Sequence, residues 1–136
     1  MEDDRPSFPK LILSTGFTGG SICMKIGIIR CRATENYCPG TTDFKTIALG
    51  KGSFATLHEE EELELIGFVS CGGCPGKDAV LRARELVRRG AQCIAFASCI
   101  KNGNPLGFPC PQADAMIEAV KRDLGPHIKI LTYTHN

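Results

Sequence analysis

From Met24 onward the chain switches repeatedly between two hydrophobic regimes. Four short runs are rich in apolar residues: 24–30, 63–70, 93–97, which is apolar throughout, and 127–132. The first carries Ile26, Ile28 and Ile29, the second Leu65, Ile66, Phe68 and Val69, and the last centres on Ile128, Ile130 and Leu131. All four read as strands, and the β-branched first run carries the mark of a strand buried on both faces. Between them the spacing becomes helical. Residues 42–50 place Phe44, Ile47 and Ala48 on one face, with Thr42 or Asp43 as cap. Residues 75–89 place Ala79, Val80, Ala83, Leu86 and Val87 on one stripe and Lys77, Arg82, Arg84, Glu85, Arg88 and Arg89 on the other. Pro75 suits the first helical position and Gly90 the stop. Residues 111–124 repeat the pattern with Ala113, Met116, Ile117, Val120 and Leu124, ended by Gly125-Pro126.

The predicted order is β-α-β-α-β-α-β. Buried strands alternating with helices imply a parallel sheet with right-handed crossovers. The expected fold class is α/β, a three-layer open, mostly parallel sheet of about four strands, of flavodoxin or Rossmann type. Residues 1–23 stand apart: they hold Pro6, Pro9 and the stretch 16–20, with no sustained period. They read as a poorly ordered or added extension ahead of a start at Met24, leaving 24–136 as one domain. The acidic run 59–62 reads as a solvated helix end, because no spaced ligands follow it.

Composition narrows the function. With 136 residues, 43% hydrophobic and 23% charged, the chain can bury a core of its own. A net charge of +1 gives no electrostatic support for nucleic-acid binding, and no Trp and two Tyr make a poor base-stacking platform. No apolar run is long enough to cross a bilayer. The acidic N-terminus and the short run 11–13 do not fit a secretory signal, so the expected setting is a reducing cytoplasm and the eight cysteines are read as thiols. Dinucleotide, P-loop, nucleophile-elbow and cysteine-phosphatase motifs are missing from the positions where they would act.

The placement of the cysteines then becomes informative. In an open parallel sheet, ligands bind beyond the carboxyl ends of the strands. Cys31 follows the first predicted strand, Cys71 and Cys74 the second, Cys99 the third and His135 the fourth, while Cys38 and Cys110 lie in the loops leaving strands one and three. Seven soft donors thus fall on one edge. Cys71-Gly72-Gly73-Cys74 has the C-x-x-C spacing of zinc and iron–sulfur sites, and its glycines permit a tight turn. Cys74 just before Pro75 would stand at the positive end of a helix dipole, where thiolate is favoured. Cys93, inside a strand, reads as core filler, and Cys23 belongs to the extension. His58 and His127 read as surface histidines. Lys101 and Asn102 could face the crevice or sit in a solvated loop, and 103–109 would shape its rim.

Several of these segments together resemble one family. The run 24–31, Cys38-Pro39-Gly40-Thr41, the stretch 68–77, Ala97-Ser98-Cys99-Ile100, Phe108-Pro109-Cys110-Pro111 and Thr134-His135 are similar to the CGGC domain family. The resemblance covers 24–136. It implies a metal-binding domain of prokaryotes, with zinc as the suggested metal, and points to Cys31, Cys38, Cys71, Cys74, Cys99, Cys110 and His135.

Two chemistries compete on these residues. A metal site would take four donors for tetrahedral zinc, or more for a binuclear site or an iron–sulfur cluster. A thiol–disulfide redox protein would use Cys71 and Cys74 as attacking and resolving thiols. A third reading is a partner-binding module with metal as a staple. The expected function is metal binding, zinc first and an iron–sulfur cluster second, with redox exchange as the alternative.

Overall fold

The structure, a computed structural model, describes residues 23–55, 57, 62–101, 103 and 110–135. The N-terminal segment up to residue 22, His58, most of the acidic run, Asn102 and the rim residues 104–109 lie outside the described residues.

Four strands form one sheet: β1 (Cys23–Arg30), β2 (Glu62–Ser70), β3 (Cys93–Phe96) and β4 (Lys129–Leu131). Their spatial order is β2-β1-β3-β4 and every pairing is parallel. The helices are α1 (Thr41–Leu49), α2 (Asp78–Arg88), the short α3 (Ser98–Lys101) and α4 (Ala113–Leu124). With right-handed crossovers, this strand order puts α1 on one face and α2 and α4 on the other. Accordingly α2 packs on α4, β1 and β2, while α1 packs on β2. The result is the three-layer α/β fold that the alternation of periods implied.

Burial follows strand position. The two central strands hold the core: Ile26, Ile28 and Ile29 of β1 and every residue of β3 are fully enclosed. The edge strands β2 and β4 are mostly half-buried. Between Ile26 and Gly27 the β1–β2 register slips, so that Gly27 faces Gly67 across the ladder. Leu86 of α2 seats itself on that pair. A Cβ on Gly27 would come within 2.7 Å of the Leu86 side chain and one on Gly67 within 2.3 Å. The facing glycines therefore set how closely α2 approaches the sheet.

Two helices differ from the periodicity. The residue before α1 is Gly40, and no side chain caps the helix. Its buried residues are Asp43, Thr46 and Ile47, whereas Phe44 is 41% exposed and packs against Phe68 with ring centroids 5.0 Å apart. Hydrophobic spacing misplaces the face because the inward side of α1 meets a polar C-terminal segment. Likewise α2 begins at Asp78, not Pro75. Residues 73–76 make a turn first, closed by the Gly76 N–H on the Gly73 carbonyl at 2.7 Å, with Cys74-Pro75 in the cis form. Neither the short helix α3 nor the 3-10 turn Gly52–Phe54, whose Phe54 is fully buried, was apparent from periodicity.

Candidate functional site

The chain winds from β1 to β2 in one direction and from β3 to β4 in the other, so the topological switch point lies between β1 and β3. Crevices form there, outside the carboxyl ends of the strands. Cys31 directly follows β1 and Cys99 sits in α3, directly beyond β3. They meet across the switch point: the Cys31 N–H donates to Cys99 Sγ at 3.4 Å, and the Thr34 hydroxyl donates to the same sulfur at 3.6 Å. Cys71 follows β2, its N–H donating to the Arg30 carbonyl at 2.7 Å, which extends the β1–β2 ladder beyond the strands. Cys31, Cys71 and Cys99 are each buried.

Burial raises the Cys31 thiol above its ordinary pKa of 9.0, and the neighbouring Cys71 and Cys99 sulfurs push it the same way against opposing hydrogen bonds from Ala33 and Thr34. Burial likewise raises Cys99, helped by the charges of Asp43 and Cys38 and opposed by its hydrogen bonds from Cys31 and Thr34. A line of neighbours therefore runs across the edge, from Cys71 through Cys31 to Cys99 and on to Cys38 and Asp43.

At the end of that line a cavity of about 260 Å³ opens, lined in part by Cys38, Asp43, Ala97, Cys99 and His135. Arg30 secures the Cys38 loop: its guanidinium donates to the Cys38 carbonyl at 2.6 Å and lies 5.1 Å from the Phe68 ring centroid. His135 is fixed by main-chain contacts, its N–H donating to Ser98 Oγ at 2.9 Å and its carbonyl accepting from the same hydroxyl. Its Nε2 lies 3.5 Å from Asp43 Oδ1.

The remaining sequence-chosen donors are placed differently. Gly72 and Gly73 take positive φ, 86° and 105°, as a tight turn requires. Past them Cys74 is exposed, and its thiol has no hydrogen-bond partner among the described residues. Cys110 is half-buried and serves the start of α4, where its Sγ accepts the Gln112 N–H at 3.4 Å. Cys93 is fully enclosed in β3, and burial pushes its thiol up to about 12. His127 is exposed, and Lys101 forms a surface ion pair with Asp114 at 2.7 Å. Among the described residues, no group of three or more His, Cys, Asp or Glu side chains is arranged to hold a metal ion. What the structure brings together is the line of neighbours, not a closed cage.

Thr34, Asp43, Ser98 and Thr134 were not chosen from the sequence. All four are buried polar residues at this edge. The available signal was adjacency: Ser98 precedes Cys99, Thr134 precedes His135, and Asp43 shares a helix face with Thr46 and Ile47. A larger hollow, about 480 Å³, lies at the amino edge between the end of α4 and β4, lined by Lys121, Arg122, Gly125, Pro126, Ile128 and Ile130. None of these described lining residues carries a thiol, imidazole or carboxylate.

The fold and site define an open parallel α/β domain with a thiol-rich carboxyl edge. The CGGC domain family model matches residues 25–135, and the chain belongs to that family. It is also 37% identical, over 82 residues, to an uncharacterized protein of Methanocaldococcus jannaschii. That match covers 56% of this chain and 62% of the relative. No solved structure matches the chain. No helix among the described residues is long and apolar enough to cross a membrane.

Proposed function

We propose that this is a metal-binding domain whose ion is held by thiols at the carboxyl edge of the sheet. Zinc is the metal the donors suit first, and an iron–sulfur cluster is the alternative. The observation that carries the reading is the row of three buried thiols, Cys71, Cys31 and Cys99, just beyond the carboxyl ends of the adjacent strands β2, β1 and β3, with Cys31 and Cys99 in contact at the switch point. The ligands would be drawn from Cys31, Cys38, Cys71, Cys74, Cys99, Cys110 and His135.

The donor set fits a soft cation by its chemistry. Burial keeps Cys31 and Cys99 protonated at neutral pH, and a cation is what takes those protons away. Cys93 provides an internal contrast. It is enclosed in β3, and among the described residues none donates a hydrogen bond to its sulfur, as suits a buried small hydrophobe. Cys99 instead receives two hydrogen bonds at its sulfur, the support that a ligating thiolate takes from its surroundings. When bound, the ion would supply Lewis acidity next to a cavity of about 260 Å³. The chain's own part is to exclude water around the thiols and to hold Cys38 through Arg30.

The test is metal content and visible absorption of protein purified without oxygen. About one equivalent of zinc, lost in Cys31→Ser and Cys99→Ser, is the expected result. Brown protein with iron and sulfide would make the site a cluster. A second reading, thiol–disulfide exchange between Cys71 and Cys74, draws on the exposure of Cys74, since an attacking thiol must be reachable. Metal-free protein with a reversible Cys71–Cys74 disulfide would put that reading in place of the first.

A further inference from the structure

The inward face of α1 carries a carboxylate where a hydrophobe would pack. Asp43 is 3% exposed, and a buried charge is costly unless it is compensated. Its Oδ1 accepts the Thr134 hydroxyl at 2.5 Å and lies 3.5 Å from His135 Nε2. The segment that brings these partners in is itself clamped. Ser98 N–H donates to Thr134 Oγ1 at 3.2 Å, and Thr134 N–H donates to Ser98 Oγ at 3.1 Å. The His135 N–H and carbonyl both bind that same Ser98 hydroxyl. Through these bonds α1 and α3 hold residues 134 and 135 against a cavity lined in part by the Cys38 and Cys99 thiols. Stability alone does not account for a buried carboxylate, because well-packed hydrophobes commonly serve as well.

We propose that Asp43 is a positioning residue that holds the His135 imidazole at the wall of the cavity, beside Cys38 and Cys99, as the nitrogen donor of the site. This rests on the metal-binding reading above. Asp43 does not touch the ion; it acts through His135, as carboxylates behind ligating imidazoles fix ring orientation and strengthen the donor.

The experiment is a double-mutant cycle on the full chain, with Zn²⁺ affinity measured by chelator competition. Asp43→Asn keeps an oxygen acceptor for Thr134 and removes the charge. It should weaken Zn²⁺ binding about tenfold in the native background and by less than about twofold with His135→Ala. Asp43→Ala should show a larger loss with the same dependence on His135; if it does not fold, Asp43→Asn decides alone. Equal losses in both backgrounds would mark Asp43 as merely structural, and no loss would remove its role; either overturns the proposal. A second readout needs no metal. Diethyl pyrocarbonate should modify His135 several-fold faster in Asp43→Asn than in the native chain, with exposed His127 as internal reference. Unchanged His135 reactivity overturns the positioning role. A native chain that binds no Zn²⁺ but shows the reactivity change would instead defeat the metal-binding reading and keep Asp43 as the residue that holds His135.

Discussion

Single thiols in this chain differ by what surrounds their sulfur, and pH makes the difference measurable. Cys93 is fully enclosed, and burial pushes its pKa up to about 12 from an ordinary 9.0. A raised value in the folded state means that the unfolded chain loses its proton first. The contribution is complete below pH 9 and is lost as pH rises toward 12. In the metal-free chain Cys31 and Cys99 are shifted in the same direction and add to the same loss. The urea midpoint should therefore fall above pH 9, and Cys93→Ala should flatten part of that decline. Cys93→Ser should cost about 1–3 kcal/mol at neutral pH by placing a hydroxyl in a dry strand, with metal content unchanged. A Cys93→Ser protein as stable as the native chain would contradict the packing described for β3. At this scale the sequence was readable where one neighbour decides the outcome. The enclosure of Cys93 follows from its apolar strand, and the placement of Cys31 and Cys71 from the ends of theirs. It was unreadable where the deciding partner is far along the chain. Asp43 and Thr134 are 91 residues apart, and nothing local announces that they meet.

Elements were legible to the degree that hydrophobic burial alone shapes them. The four strands and the stripe of α4 follow the pattern to within a few residues, because the faces that are buried are the apolar ones. For α1 the rule fails, since its inward side is chosen by the polar segment 134–135 and Phe44 turns outward onto Phe68. For α2 the start moves because the C-x-x-C turn continues through Gly76 before the helix can form. The seat of α2 on the sheet is specific enough to test. Leu86 is 5% exposed and fills the space that Gly27 and Gly67 leave. Leu86→Ala should cost about 2–5 kcal/mol as a cavity mutation. Gly67→Ala should cost about 1–3 kcal/mol by overpacking against Leu86. Made together, they should cost clearly less than the sum, because each removes the reason for the other's penalty. Strict additivity in urea unfolding would mean that Leu86 does not sit on the glycine pair.

For the whole molecule the question is whether the carboxyl edge holds the fold together or the fold holds the edge. The core runs the length of the sheet through β1 and β3 and out to α2 and α4, and Ile26, Phe96, Ala83 and Val120 in it are 0% exposed. A chain of 136 residues can sustain such a core without a structural ion. The edge, by contrast, concentrates buried polar groups and thiols, the kind of local inconsistency that proteins keep at functional sites. The order of dependence should then be that the sheet positions the ligands and the ion adds stability only by mass action. At free Zn²⁺ a thousandfold above the dissociation constant this amounts to about 4 kcal/mol, or roughly 10–20 °C in the unfolding midpoint for a chain of this size. Exhaustive chelation should lower the midpoint by that order and leave one cooperative transition with the far-ultraviolet dichroism of the native sheet. Cys31→Ser and Cys99→Ser should melt near the chelated midpoint and respond little to chelator. A chelated chain that shows no transition would reverse the order of dependence, making the ion a staple around which the strands assemble.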